Sequence, residues 1–141
     1  MEPPSSRAIA VQPATSPEWV RDAVIAGGGH IVEPVDASAI VWSAARNASG
    51  LREILDVHGH LEWVQVPFAG IENFVPILDD DRTWTCGKGV YAEPVAEHAL
   101  ALALAGMRHV ATYSRAAQWT GPAGRNLLGA AVTIVGGGGI T

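Results

Sequence analysis

Hydrophobic positions along the chain fall in short runs divided by turn residues. Residues 7–11 form a strand-like run closed by Pro13. Ser16 then stands before Pro17, a capping residue ahead of a proline at the first helical position. Trp19, Val20, Ala23 and Val24 follow at helical spacing, and the pattern stops at Gly27-Gly28-Gly29. Residues 30–32, 39–42, 62–66 and 83–86 read as four further strands, with Pro34 and Pro67 closing two of them. Asn47 or Ser49 is placed to cap a helix through Val57 that turns Leu51, Ile54 and Leu55 inward. Residues 71–78 form a short helix or turn.

Strands alternating with helices imply parallel pairing through right-handed crossovers, with both sheet faces covered. Residues 1–91 therefore read as a small α/β domain whose functional loops leave the carboxyl ends of the strands, near Gln12, Ser43, Pro67 and Gly87. Residues 92–141 read differently. A long helix opens at Glu93-Pro94, with acidic Glu93 and Glu97 near the positive end of its dipole, and is expected to run to about Trp119. Its middle, residues 99–107, is apolar almost all round and calls for burial on most sides. Residues 131–135 read as another buried strand, running into Gly136-Gly137-Gly138-Gly139.

Composition narrows the classes. A length of 141 residues suits one domain better than two complete ones, and 48% apolar residues exclude a disordered chain. The 16% charged residues are fewer than usual, which suggests surface buried against a partner or against a further part of the chain. A net charge of -5 argues against nucleic acid. The single cysteine, Cys86, excludes an internal disulfide framework and fits a reducing compartment. Residues 1–7 lack the basic and apolar regions of a signal peptide, and no apolar stretch is long enough for a bilayer, so a cytoplasmic location is expected.

The glycine run is the sharpest local signal for chemistry. A strand ending in Gly-x-Gly-x-x-Gly and opening a helix presents backbone N–H groups to a pyrophosphate. Gly136 and Gly138 occupy the first two glycine places, and Thr141 stands at the third. On the residues alone, a flexible glycine segment is an equal alternative.

From about Ile40 onward the chain resembles the amino-terminal part of the D-isomer-specific 2-hydroxyacid dehydrogenases. Residues 67–73 (Pro-Phe-Ala-Gly-Ile-Glu-Asn) resemble that family's strand-end loop, Gly-x-Gly-[Val/Ile]-[Asp/Glu]-Asn, with Phe68-Ala69 standing where the pattern has its earlier glycine and variable residue. Residues 95–102 (Val-Ala-Glu-His-Ala-Leu-Ala-Leu) resemble its interdomain helix. Trp119, Leu128-Gly129 and residues 132–140 follow in the family's order.

The resemblance implies a flavodoxin-like substrate domain, then the first helix and strand of a Rossmann domain for NAD or NADP. It also implies hydride transfer between a small 2-hydroxy acid and its 2-keto acid. The backbone N–H groups of Ala69, Gly70 and Ile71 would hold the substrate carboxylate, Ser43 would line the pocket, and Gly136 and Gly138 would form part of the cofactor site. The family's catalytic arginine, glutamate and histidine lie beyond the glycine motif, so no catalytic residue is assigned and this chain is expected to be inactive alone. The helix from Pro94 suggests a homodimer. A non-enzymatic binding or dimerisation module is the alternative.

Other candidates carry less. His58 and His60 flank a glycine in what reads as a turn, without the further ligands of a zinc site. His98 adjoins Glu97 but points off a different helix face, so it reads as packing or capping, and His109 as solvated or at an interface. Asp79-Asp80-Asp81 reads as a solvated turn, Cys86 as an inert buried thiol, and Trp19, Trp42, Trp63 and Trp84 as core or interface residues.

Overall fold

The computed structural model describes residues 8–141. Arg7 and the expectation for a leader in residues 1–7 lie outside them. Two compact units divide between Lys88 and Gly89.

The first unit is an α/β fold built on a five-stranded, all-parallel sheet, flavodoxin- and Rossmann-like. Its elements are β1 (Ala8–Gln12), α1 (Glu18–Ala26), β2 (His30–Ile31), β3 (Ala39–Trp42), α2 (Ala48–Val57), β4 (Trp63–Gln65) and β5 (Thr83–Thr85). Short 3-10 turns at Pro34–Asp36 and Val75–Ile77 complete it. The strand order is β2-β1-β3-β4-β5. Register places Ala10 beside Ile40 and Ile40 beside Val64, so these three point to one face. There they pack with Trp42, Leu51, Leu55, Leu61, Val66 and Phe74, all buried, in the main core beneath α2. The opposite face carries Ile9 and Val11. Gly29 holds α1 close to it, since a Cβ there would lie 2.8 Å from Val24 Cγ1 and 3.0 Å from Ile9 Cδ1.

Local signals account for most of these elements. Asn47 caps α2, its Oδ1 accepting from the Gly50 N–H at 2.9 Å. Ile54 is half-buried beside the fully inward Leu51 and Leu55. At α1 the structure corrects the expectation. Pro17, not Ser16, occupies the N-cap, without a side-chain cap, because the Ser16 hydroxyl donates back to the Pro13 carbonyl. Asp79 is likewise not merely solvated. It pairs with Arg82, whose guanidinium also donates to the Leu61 carbonyl at 3.1 Å.

The second unit contains α3 (Ala92–Met107) and α4 (Val110–Tyr113). The helix expected to reach Trp119 is therefore broken. His109 adopts the left-handed conformation (φ 54°), which ends one helix and starts the next. The chain then folds back, with the Arg125 N–H donating to the Met107 carbonyl at 2.8 Å at the end of α3. Gly124 permits that approach, because a Cβ would lie 2.8 Å from the same oxygen. Tyr113 ties the return by donating to the Gly121 carbonyl and accepting from the Ala123 N–H. Residues 131–135, expected as a strand, are irregular. An apolar run becomes a parallel strand only against a neighbour that completes its ladder, and no described strand pairs with this one. No described helix is long and apolar enough to cross a membrane.

Candidate functional site

In a sheet of this order the strand sequence reverses direction between β1 and β3, and ligands of open α/β sheets lie outside the carboxyl ends at that switch point. Loops after β1, β3, β4 and β5 meet on this edge. The Ser43 N–H continues the ladder by donating to the Gln12 carbonyl at 2.9 Å. Beyond it, Ser16 Oγ and Ser43 Oγ are 2.8 Å apart, bridging the β1 and β3 loops directly over the switch point. Asn73 Nδ2 donates to the Ala45 carbonyl at 3.3 Å, joining the β4 loop to the β3 loop. On the other side, the Gly87 N–H donates to the Phe68 carbonyl at 3.3 Å. Gly87 is buried and the fit leaves no room for a side chain, since a Cβ would stand 2.5 Å from the Pro67 oxygen.

The β4 loop itself presents donors. Ala69 and Gly70 are exposed and Ile71 is half-buried. None of their three N–H groups donates to a protein acceptor among the described residues. They can accept a carboxylate without first losing an internal bond. Glu72 opposes this, because its carboxylate lies against Gly70: a Cβ there would be 2.8 Å from Glu72 Oε2. Glu72 is exposed, so an incoming anion can displace its side chain at a modest electrostatic cost.

Of the expected site residues, the structure thus gathers Ser43 and the Ala69-Gly70-Ile71 loop on one edge of the first unit. Gly136 and Gly138 belong to the second unit. Gly136 has a positive φ of 99°, which suits glycine. The Gly138 N–H is taken by Thr141 Oγ1 at 2.9 Å. No described strand leads into the run, so the strand that opens a dinucleotide cradle is not formed before these residues. Nothing lies within 4 Å of a Cβ built at Gly136, Gly137 or Gly138.

Sequence reasoning missed Ser16 and the steric role of Gly87. Ser16 carried a capping signature, and nothing local in the sequence links it to Ser43, 27 positions away. The lesser candidates disperse. His58 and His60 meet edge to face, with ring centroids 5.7 Å apart. Among the described residues no group of three histidine, cysteine or acidic side chains is arranged to hold a metal. Cys86 is half-buried against the core, with Trp84. Trp19 is 69% exposed, outside any core, while Trp42 is buried. His98 is exposed.

The class that the fold defines is a parallel α/β domain, flavodoxin- and Rossmann-like, with the candidate loops gathered at its switch point. In sequence, the chain is 31% identical over 102 residues to an uncharacterized protein in the proB 3' region of Corynebacterium melassecola. The match covers 70% of this chain and 32% of that protein, so the chain spans about a third of the length of the curated relative it matches. No family model matches the chain. No solved structure matches it.

Proposed function

We propose that the first unit is the substrate-binding domain of an NAD- or NADP-dependent oxidoreductase that interconverts small D-2-hydroxy acids and 2-keto acids. The observation that carries this reading is the loop after β4, where three consecutive N–H groups stand open at the carboxyl edge. That is where the resemblance to the 2-hydroxyacid dehydrogenases puts the substrate carboxylate. Ser43 lines the same edge. The match to a relative about twice as long as this chain supports a domain that works as part of a larger chain.

In this reading the dinucleotide would accept or supply the hydride. Gly136 and Gly138 form no cradle for it here, so the chain's own contribution is to bind and orient the acid. The test is an amide NMR titration of the chain with D-lactate. Movement of the Ala69, Gly70 and Ile71 signals is expected. Saturation without movement at these amides would overturn the assignment.

A second reading, a dimerisation module, is favoured by α3. It carries no buried residue, and Leu100, Leu102 and Leu104 are exposed. An apolar surface of this kind commonly marks an interface. A second copy of the chain pairing through the helix from Pro94 would cover it, with or without catalysis.

A further inference from the structure

Hydrogen-bond direction at the switch point can be worked out from the oxygens alone. Ser16 Oγ lies 2.6 Å from the Pro13 carbonyl oxygen, and Ser16 is buried. A carbonyl cannot donate, and two oxygens this close repel unless a proton lies between them, so the Ser16 proton points to Pro13. The Ser16–Ser43 contact of 2.8 Å then needs the other hydroxyl as donor, and the Ser43 proton points to Ser16. The relay runs Ser43 to Ser16 to Pro13. It leaves Ser43, half-buried at the rim, with lone pairs and no proton to offer a ligand.

We infer that Ser43 is a specificity-determining residue and Ser16 its positioning residue. Together they select a 2-hydroxy acid whose carbon-3 arm carries a hydroxyl donor, over one whose arm is a methyl or an acceptor-only group. The inference rests on the proposed reading of the β4 loop as the carboxylate site. With the carboxylate held by Ala69, Gly70 and Ile71, the arm that reaches the β1–β3 mouth meets an acceptor. A hydroxymethyl arm satisfies it, a methyl arm leaves it unpaired, and a carboxylate arm sets lone pairs against lone pairs.

Three acids of similar size test this by amide NMR titration of the full chain: D-glycerate (hydroxymethyl arm), D-lactate (methyl arm) and tartronate (carboxylate arm). D-Glycerate is expected to bind about tenfold more tightly than D-lactate, the order of one hydrogen bond, with tartronate weakest. Ser43→Ala should bring D-glycerate and D-lactate together. Ser16→Ala frees the Ser43 proton, so tartronate should gain on D-glycerate, and Ser16→Thr should restore the original order. A purely structural role for Ser16 would weaken all three acids alike.

Equal binding of D-glycerate and D-lactate to the unsubstituted chain overturns this inference and leaves the proposed function standing. Binding of none of them at the β4 loop overturns the proposed function. Neutron diffraction then judges the relay without any ligand. A deuteron between Ser16 and Pro13 and another from Ser43 toward Ser16 support it. A Ser16 deuteron aimed at Ser43 removes it.

Discussion

Gly87→Ala tests whether the carboxyl edge is built by backbone contact. The new Cβ would stand 2.5 Å from the Pro67 oxygen and 3.5 Å from Phe68 Cα, both main-chain atoms that cannot rotate away. Restoring an ordinary contact requires the β4 and β5 loops to part by about 0.5 Å or more, a change of the overpacking kind that costs about 1–3 kcal/mol. The same movement stretches the Gly87 N–H bond to the Phe68 carbonyl, already 3.3 Å long. Against this, alanine lowers unfolded-chain entropy by about 0.4–1 kcal/mol. The net loss is about 1–2 kcal/mol, which moves a urea midpoint down by roughly 1 M at slopes usual for small domains. Amide signals of Ile40 and Val64, fully buried in the first unit, report that unit alone during urea unfolding. Affinity for D-lactate should fall with the midpoint, because the loop that moves holds the three open N–H groups. Gly59→Ala is the control: nothing lies within 4 Å of its Cβ, and a change within about 0.5 kcal/mol is expected. An unchanged midpoint for Gly87→Ala would refute the claim that these loops touch through their backbones.

Other expectations follow from single contacts. Glu72→Gln removes a negative charge beside Gly70 and should tighten D-lactate binding about threefold, as expected for like charges roughly 5 Å apart in water; weaker binding in the titration would show that the carboxylate helps the ligand. Leu51→Ala empties a fully buried position beneath the sheet and should cost about 2–5 kcal/mol in urea unfolding, and a loss under 1 would mean the core closes around the gap. Asn47→Ala removes the α2 cap and should cost about 1 kcal/mol by the same assay, with Asn47→Asp retaining most of it. Leu102→Lys on α3 should lower the sedimentation coefficient at high concentration if copies pair through that helix; an unchanged coefficient that remains dimeric would place the interface elsewhere.

The first unit was largely legible because its signals are local. Four of the five strands have a proline or glycine within two residues of an end (Pro13, Gly29, Pro67, Gly87), and the α2 cap and its inward leucines sit at the spacing a helix requires. Tertiary contact decided the rest. Ser16 has the residue type and position of a helix cap, yet its hydroxyl is drawn to the Pro13 carbonyl and to Ser43. The apolar stretch from Pro94 promised one long helix, since no breaker stands between Ala99 and His109 except Gly106. The return of residues 121–125 onto the Met107 carbonyl and the left-handed His109 end it early. Residues 131–135 have strand composition and no strand beside them, and composition cannot supply a partner. At the candidate site, Ala69, Gly70 and Ile71 were readable as a loop, but the closeness of Gly87 to Pro67 joins residues 20 positions apart and leaves no trace in either segment.

The placement of titratable groups limits what the first unit can do by itself. His30 opens β2, and His58 and His60 precede β4, so every histidine of this unit lies toward the amino ends of the strands. The open N–H groups and the serine pair lie at the opposite, carboxyl end. Moving a proton at a substrate hydroxyl near neutral pH calls for a group such as histidine within hydrogen-bond reach of it. The carboxyl edge instead offers fixed donors, one oriented hydroxyl acceptor, the Glu72 carboxylate beside Gly70 and backbone contacts that hold the loops in register. Those are the means of choosing and orienting a small acid. In the proposed enzyme, therefore, selectivity resides in this unit and proton transfer is supplied to it. Substitutions at Ser16, Ser43 and Gly87 should accordingly change which acid binds and how tightly, without introducing a new ionisation into the pH dependence of binding.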